Sequence, residues 1–174
     1  MRAFKFLRPG GVGLFSQTRW LQPNGVPGGW VRASAGDPAL CRAGVHACAV
    51  EHLPFWLAEE LWEIELEAPV APRRSKLVAP AGRLVARVEA GDEEAALAFM
   101  AETVDRIRGL DRRGYVAEAE IFCTGDAARE DPFGNAALST MIAVEAAEHA
   151  GGHDAVRAER ATEVAWLADR LAIA

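Results

Sequence analysis

The chain changes character near residue 90. Eight of its nine prolines and four of its five tryptophans precede that point, whereas Ala, Glu, Arg and Leu dominate the rest. The residues that dominate the second half are good helix formers. We therefore predict an α+β protein, with a strand-rich aromatic and glycine-containing region over residues 1–90 and an α-helical region over residues 91–174. Neither half is long enough to bury much surface alone, so we expect the two to share one core.

Alternating apolar and charged residues predict a small, mostly antiparallel sheet. Leu61–Glu67 places Trp, Ile and Leu on one face and three glutamates on the other, and Arg83–Val88 alternates in the same way. A strand with one polar face indicates an antiparallel or mixed sheet. If these two segments pair, their opposite charges meet across the strands. Further short strands are predicted at residues 3–7, 12–15, 30–31, 45–48 and 76–78.

Capping residues mark the predicted helices. Asp92 is placed to cap a helix that ends near Gly109, and Asp131 precedes a proline at the start of another that ends at the glycines 151–152. We expect further helices over residues 50–60, over residues 115–123 and after Asp154.

Charge and composition exclude several classes of protein. The net charge of −6 argues against general nucleic-acid binding, since a duplex-binding surface is normally basic. No segment approaches the roughly 18 apolar residues of a membrane span, so no membrane partner is expected. Residues 1–11 are interrupted too early by Pro9 and Gly10 to act as a signal peptide. Three cysteines cannot all pair within one chain, which favours a reducing, cytoplasmic location.

The segment Cys41–Cys48 is the most informative stretch, and three interpretations of its cysteines stay open. Cys41, His46 and Cys48, with His52, are suitable zinc ligands, although their spacing is not a usual structural-zinc pattern. The two cysteines also suit a hairpin disulfide. Alternatively, both are small buried apolar residues. No residue pattern indicates a lowered thiol pKa, so a nucleophilic cysteine is not predicted.

His46 is the principal candidate site residue. It follows the turn residue Gly44 on a short strand and lies in the tryptophan-rich half of the chain. A histidine in that setting is a candidate catalytic group in a ligand cleft. Gly44, Trp30 and Trp56 are candidate ligand-binding residues of such a cleft. The four tryptophans of this half, Trp20, Trp30, Trp56 and Trp62, suit either an aromatic pocket or a buried core.

The run CRAGVHACAVEHLPFWLAEELWEIELEAPV, followed by SKLVAPAGRLVARVEA, resembles an uncharacterised bacterial family with a C-x-x-G-[VF]-H-A-C core. A related domain of unknown function in phages and bacteria is similar through the same core. The resemblance covers residues 1–90 and, more loosely, residues 159–171. The resemblance implies that the chain belongs to this family, but it implies no activity, because no activity is established for the family.

A second, fold-level resemblance is to ADP-ribosyltransferase-like folds. Its residues are Gly44-Val45-His46, then Trp56, then the strand from Trp62 to Leu66. The resemblance implies a cleft that binds NAD, with His46 in the cleft, Arg2 or Lys5 on the pyrophosphate and Glu65 as the catalytic carboxylate. Fold-level similarity does not by itself establish an activity.

We therefore hypothesise an enzyme-like domain that binds a small molecule, in the most concrete version a nucleotide or NAD-like compound, in a cleft around His46. The alternative is a non-catalytic interaction or regulatory protein that uses its helical half. The third hypothesis is a structural zinc-binding domain. The sequence identifies no cofactor, reaction or oligomeric state, and does not decide whether the protein is an enzyme.

Overall fold

The computed structural model describes residues 2–33, 43–89, 91–110 and 113–173. Eight strands, one 3₁₀ helix and four α-helices lie within this described part of the chain. The fold class is α+β, as predicted. The chain divides into a sheet unit, residues 1–53 and 58–89, and a helical unit, residues 54–57 and 90–174.

Two antiparallel sheets make up the sheet unit. The strands are β1 (Ala3–Arg8), β2 (Val12–Gly13), β3 (Val31–Arg32), β4 (Val45–Ala47), β5 (Glu60–Leu66), β6 (Ala71–Arg73), β7 (Lys76–Ala79) and β8 (Ala81–Arg87). The first sheet has the order β2-β1-β5-β8-β3 and the second the order β4-β7-β6. A bridge from Phe4 to Cys48 connects β1 with the end of β4.

One face of the first sheet packs into the core of this unit; we call it the core face. Its buried members include Ala3 and Leu7 of β1, Trp62 and Ile64 of β5, and Leu84 of β8. From the second sheet, Val45, Ala47 and Leu77 join the same cluster. The predicted inward direction of Trp62, Ile64 and Leu66 is therefore confirmed, since the first two are buried and Leu66 packs against them.

The predicted pairing of charges across strands is also confirmed. Glu65 lies opposite Arg83 in the register of β5 and β8, and the Arg83 Nε donates to the Glu65 Oε2 at 2.7 Å. The predicted alternation of β8 holds only as far as Leu84, because the register shifts between Glu63 and Ile64. Beyond that irregularity Ala86 lies opposite Glu63 and is exposed.

The predicted helix over residues 50–60 was wrong. A 3₁₀ helix spans Val50–Phe55, and β5 begins at Glu60. Pro54 lies near the end of the short helix rather than in its first turn, and a proline cannot supply the N–H that would continue it. Strand β6 and helix α3 (Gly125–Glu130) were not predicted.

The other predicted helices are present. They are α1 (Glu93–Leu110), α2 (Tyr115–Cys123) and α4 (Pro132–Arg170), whose backbone is non-helical at Gly152. The carboxylate of Asp92 accepts from the Ala95 N–H at 2.9 Å, and that of Asp131 accepts from the Gly134 N–H at 3.0 Å. Within the described residues, no helix has the length and apolar character needed to cross a membrane.

Candidate functional site

Strand β4 places His46 at the edge of the second sheet. Val45 and Ala47 are buried in the core, and successive side chains on a strand point to opposite faces, so the His46 side chain points away from that core. His46 is partly exposed. Gly44, just before the strand, has φ of +115°, a region in which a side chain would be strained.

Strand β1 carries a lysine on the core face. Lys5 lies between Ala3 and Leu7 on the same side of the strand, and both of those neighbours are almost completely buried. In the register of β1 and β5, Lys5 lies opposite Trp62, another core residue. Lys5 itself is only partly exposed. A cation in the middle of an apolar face is an exception to ordinary strand patterning, and such exceptions concentrate at functional sites.

The amino group of Lys5 contacts an aromatic ring and a backbone carbonyl. Its Nζ donates to the His46 carbonyl oxygen at 2.8 Å, and it lies 4.7 Å from the centroid of the Trp20 ring. Among the described residues, Lys5 takes part in no ion pair with a carboxylate. We refer to Lys5, Trp20, His46 and Cys48 as the Lys5 cluster.

Burial lowers the pKa of Lys5 from 10.5 to about 8, an effect that the nearby Cys48 partly opposes. Removing an ammonium from water disfavours its charged form, and the ring and the carbonyl compensate for only part of that loss. At pH 7 most Lys5 side chains therefore carry an ammonium, and a minority carry the neutral amine.

Trp20 is fixed by its own backbone. Its N–H donates to the Gly11 carbonyl at 2.9 Å, and its carbonyl accepts from the Gly28 N–H at 3.0 Å. The Trp20 side chain is 5% exposed and belongs to the core cluster. The Lys5 amino group therefore contacts a ring that is buried in the core.

Cys48 is a buried thiol. It is 3% exposed, and its backbone N–H and carbonyl both bond to Phe4 at 2.8 Å. Burial raises the pKa of Cys48 to about 12, although the Lys5 cation opposes the rise. The thiol therefore stays protonated at neutral pH and is a poor nucleophile. These properties agree with the interpretation of Cys48 as a small apolar residue.

The second face of the first sheet carries other predicted site residues. Arg2 Nε donates to Glu63 Oε1 at 3.0 Å, and Glu65 pairs with Arg83. The Arg83 guanidinium lies 5.4 Å from the centroid of Trp30, which is 40% exposed.

Because Lys5 shares the core face with Trp62, Glu65 and Lys5 lie on opposite faces of one sheet. The structure thus brings Lys5 to His46 and places Glu65 elsewhere.

Trp56 falls within residues 54–57, which group with the helical unit, and it is partly exposed. That unit exposes Ile121 (65%), Phe122 (40%) and Met141 (61%), three large apolar side chains. The predicted alternative of an interaction protein would use such a surface. The same unit has a depression of about 310 Å³ lined by Val144, Glu148, His153, Val156, Arg157 and Arg160.

Cys41, on which the predicted zinc set and disulfide both depend, lies outside the described residues. Among residues 2–33, 43–89, 91–110 and 113–173, no three His, Cys, Asp or Glu side chains are arranged to hold a metal ion. The buried Nδ1 of His52 has no hydrogen-bond partner among those residues.

Sequence reasoning selected Lys5 and His46 but did not recognise their contact or the part played by Trp20. The contact is made to the backbone carbonyl of His46. Every residue has such a carbonyl, so the identity of residue 46 does not predict the contact. Alternation in β1 gave no signal for the inward position of Lys5, because Phe4 and Phe6 mark the opposite face of the strand as apolar, and both of them are also buried.

Comparison with protein-family models, curated proteins and solved structures gave no match to this chain.

Proposed function

We propose that the sheet unit is an enzyme-like domain that binds a small molecule at the Lys5 cluster, next to His46. The observation that supports it is the hydrogen bond from Lys5 Nζ to the His46 carbonyl, made by an amino group on the core face. Burying a cation there costs free energy that no ion pair among the described residues offsets. Residues that weaken a fold in this way are candidates for ligand contact.

The charge of Lys5 favours an anionic or carbonyl-bearing ligand. At neutral pH most of the population carries an ammonium, which attracts phosphate and carboxylate groups, while the minor neutral form is a nucleophile. A nucleotide or NAD-like compound is one ligand of the first kind. Because Glu65 is paired with Arg83 on the other face, the proposal assigns it no contact with a ligand bound at Lys5.

Isothermal titration of the full chain with NAD, AMP, inorganic phosphate and small aldehydes or keto acids tests this proposal. We expect saturable binding of at least one compound, weakened about tenfold or more by Lys5→Met because the ligand loses its charged or reactive partner. The matched control is Lys76→Met, since Lys76 is also partly exposed and is the only other lysine in the chain. Equal binding by the Lys5→Met variant, or no binding of any of these compounds, would contradict the proposal.

A further inference from the structure

Three features of the Lys5 cluster bear on its chemistry as well as on binding. The first is position: the amino group lies among apolar side chains on the core face of β1, yet part of Lys5 remains exposed. A lysine becomes nucleophilic when its surroundings disfavour the ammonium, and an apolar pocket is one setting that does so.

The second feature is the absence of a counter-ion. The described residues contribute no carboxylate that pairs with Lys5. A paired carboxylate would hold the lysine as an ammonium, whereas the acceptor present here, the His46 carbonyl, is neutral. The neighbouring thiol, Cys48, is itself buried and keeps its proton.

The third feature is orientation. A neutral amine retains two N–H groups, so it can still donate to the His46 carbonyl at 2.8 Å while its lone pair points elsewhere. The Trp20 ring, 4.7 Å away, limits the directions that remain open to it. The amine is thus held in place by a bond that does not consume the electron pair needed for attack.

We propose that Lys5 is a nucleophilic lysine that forms an imine with a small aldehyde or ketone bound at the Lys5 cluster. This inference rests on the proposed function, because the carbonyl compound is the small molecule bound there. The neutral Nζ adds to the carbonyl carbon, and the carbonyl oxygen takes up a proton. The resulting carbinolamine then loses water and leaves a carbon–nitrogen double bond. One amine and one carbonyl compound give one imine and one water, with no oxidant or reductant.

The chain offers a direct test because it contains only two lysines, Lys5 and Lys76. The folded protein is incubated with acetaldehyde and sodium cyanoborohydride, which reduces the imine to a stable secondary amine. Peptide mass spectrometry then gives the rate of modification at each lysine. We expect Lys5 to react about tenfold or more faster than Lys76 at pH 7, with a rate that saturates with acetaldehyde concentration and has its pH midpoint near 8.

The principal comparison lies within the wild-type chain, so it does not depend on a variant that folds. In denatured protein the difference between the two lysines should disappear, and Lys76→Arg should leave the rate at Lys5 unchanged. Modification of Lys5 no faster than Lys76 in the folded protein would overturn the inference. If Lys5→Met still weakened binding in that case, the proposed function would survive without imine chemistry. Fast modification of Lys5 that did not saturate would overturn the inference and count against the binding site.

Discussion

The placement of a single side chain, Lys5, gives the sheet unit its most unusual property. Its neighbours on the same side of β1 are Ala3 and Leu7, both buried, and its amino group bonds to the His46 carbonyl. An apolar residue at this position would stabilise the fold more, because the desolvated ammonium has no ion-pair partner among the described residues.

Lys5→Met should therefore stabilise the protein at neutral pH, by about 1–3 kcal/mol. The pKa of Lys5 is lower in the folded than in the unfolded chain, so its contribution to stability is present in full above about 10.5 and is lost as the pH falls through about 8. The advantage of the variant should consequently shrink by about 1 kcal/mol between pH 7 and 9. Urea unfolding at both pH values measures this, with Lys76→Met as the control. If the unfolding free energies of wild type and Lys5→Met differed by the same amount at pH 7 and pH 9, Lys5 would not be desolvated in the folded protein.

Local signals in the sequence predicted most of the helices and strands. Asp92 and Asp131 are capping residues, and a residue type with its neighbours is enough to mark a helix start. The alternation of apolar residues and glutamates over residues 61–67 likewise predicted strand β5. The failures have a different origin: Pro54 lies inside a short 3₁₀ helix that ends at Phe55, and β6 contains Pro72 at the edge of a sheet. Whether each of these two segments forms a strand or a short helix depends on the neighbouring segment in the fold, and a short window of sequence does not contain that information.

The sequence predicted individual residues of the candidate site but not the contact between them, because that contact depends on the fold. His46 and Lys5 were selected as residues, but their contact joins positions 41 residues apart through a backbone atom. Glu65 was selected through a fold-level resemblance, and the structure shows that it pairs with Arg83. Strand alternation correctly assigned Glu65 to the face opposite Trp62, and this assignment separates it from Lys5.

The backbone of α4 is broken at Gly152, and substitution there tests the strain. Its φ of 66° and ψ of −154° are accessible essentially to glycine only, although a Cβ there would meet no atom within 4 Å. We expect Gly152→Ala to lower the thermal stability by about 1–3 kcal/mol through backbone strain alone. Gly109→Ala is the matched control, since that glycine lies in α1 with equal free space and without a positive φ. It should raise stability by up to about 1 kcal/mol. Similar effects of both substitutions in calorimetry would contradict the assigned strain.

A buried carboxyl group in the helical unit makes the stability of the protein depend on pH. Glu163 is completely buried, and neither of its carboxyl oxygens has a partner among the described residues. Burial raises its pKa to about 8, with the nearby Glu159 adding to the rise and Arg106 and Arg160 opposing it. Arg106 is already engaged, since its Nε donates to Glu159 at 2.8 Å.

Glu163 should therefore make the protein less stable as the pH rises. Its pKa is higher in the folded than in the unfolded chain, so its contribution is present in full below about 4.5 and is lost as the pH rises through about 8. We expect wild type to lose about 2–4 kcal/mol relative to Glu163→Gln between pH 5 and 8, measured by chemical unfolding. Glu148 is exposed, so the stability of Glu148→Gln should change with pH in the same way as that of wild type. Parallel pH profiles for wild type and Glu163→Gln would show that Glu163 is ionised in the folded protein.

The short strands at the sheet margins have a consequence for behaviour at high concentration. The outer strands β2 and β3 of the first sheet have two residues each, and the outer strands β4 and β6 of the second have three. Unpaired backbone groups at a sheet edge are templates for adding a strand from another chain, and short edges offer few of them. Pro72 in β6 removes one further donor. The outer strands are therefore poor templates for an added strand, whereas β8, which β3 covers only at Ala81 and Gly82, keeps the longer edge of the first sheet among the described residues.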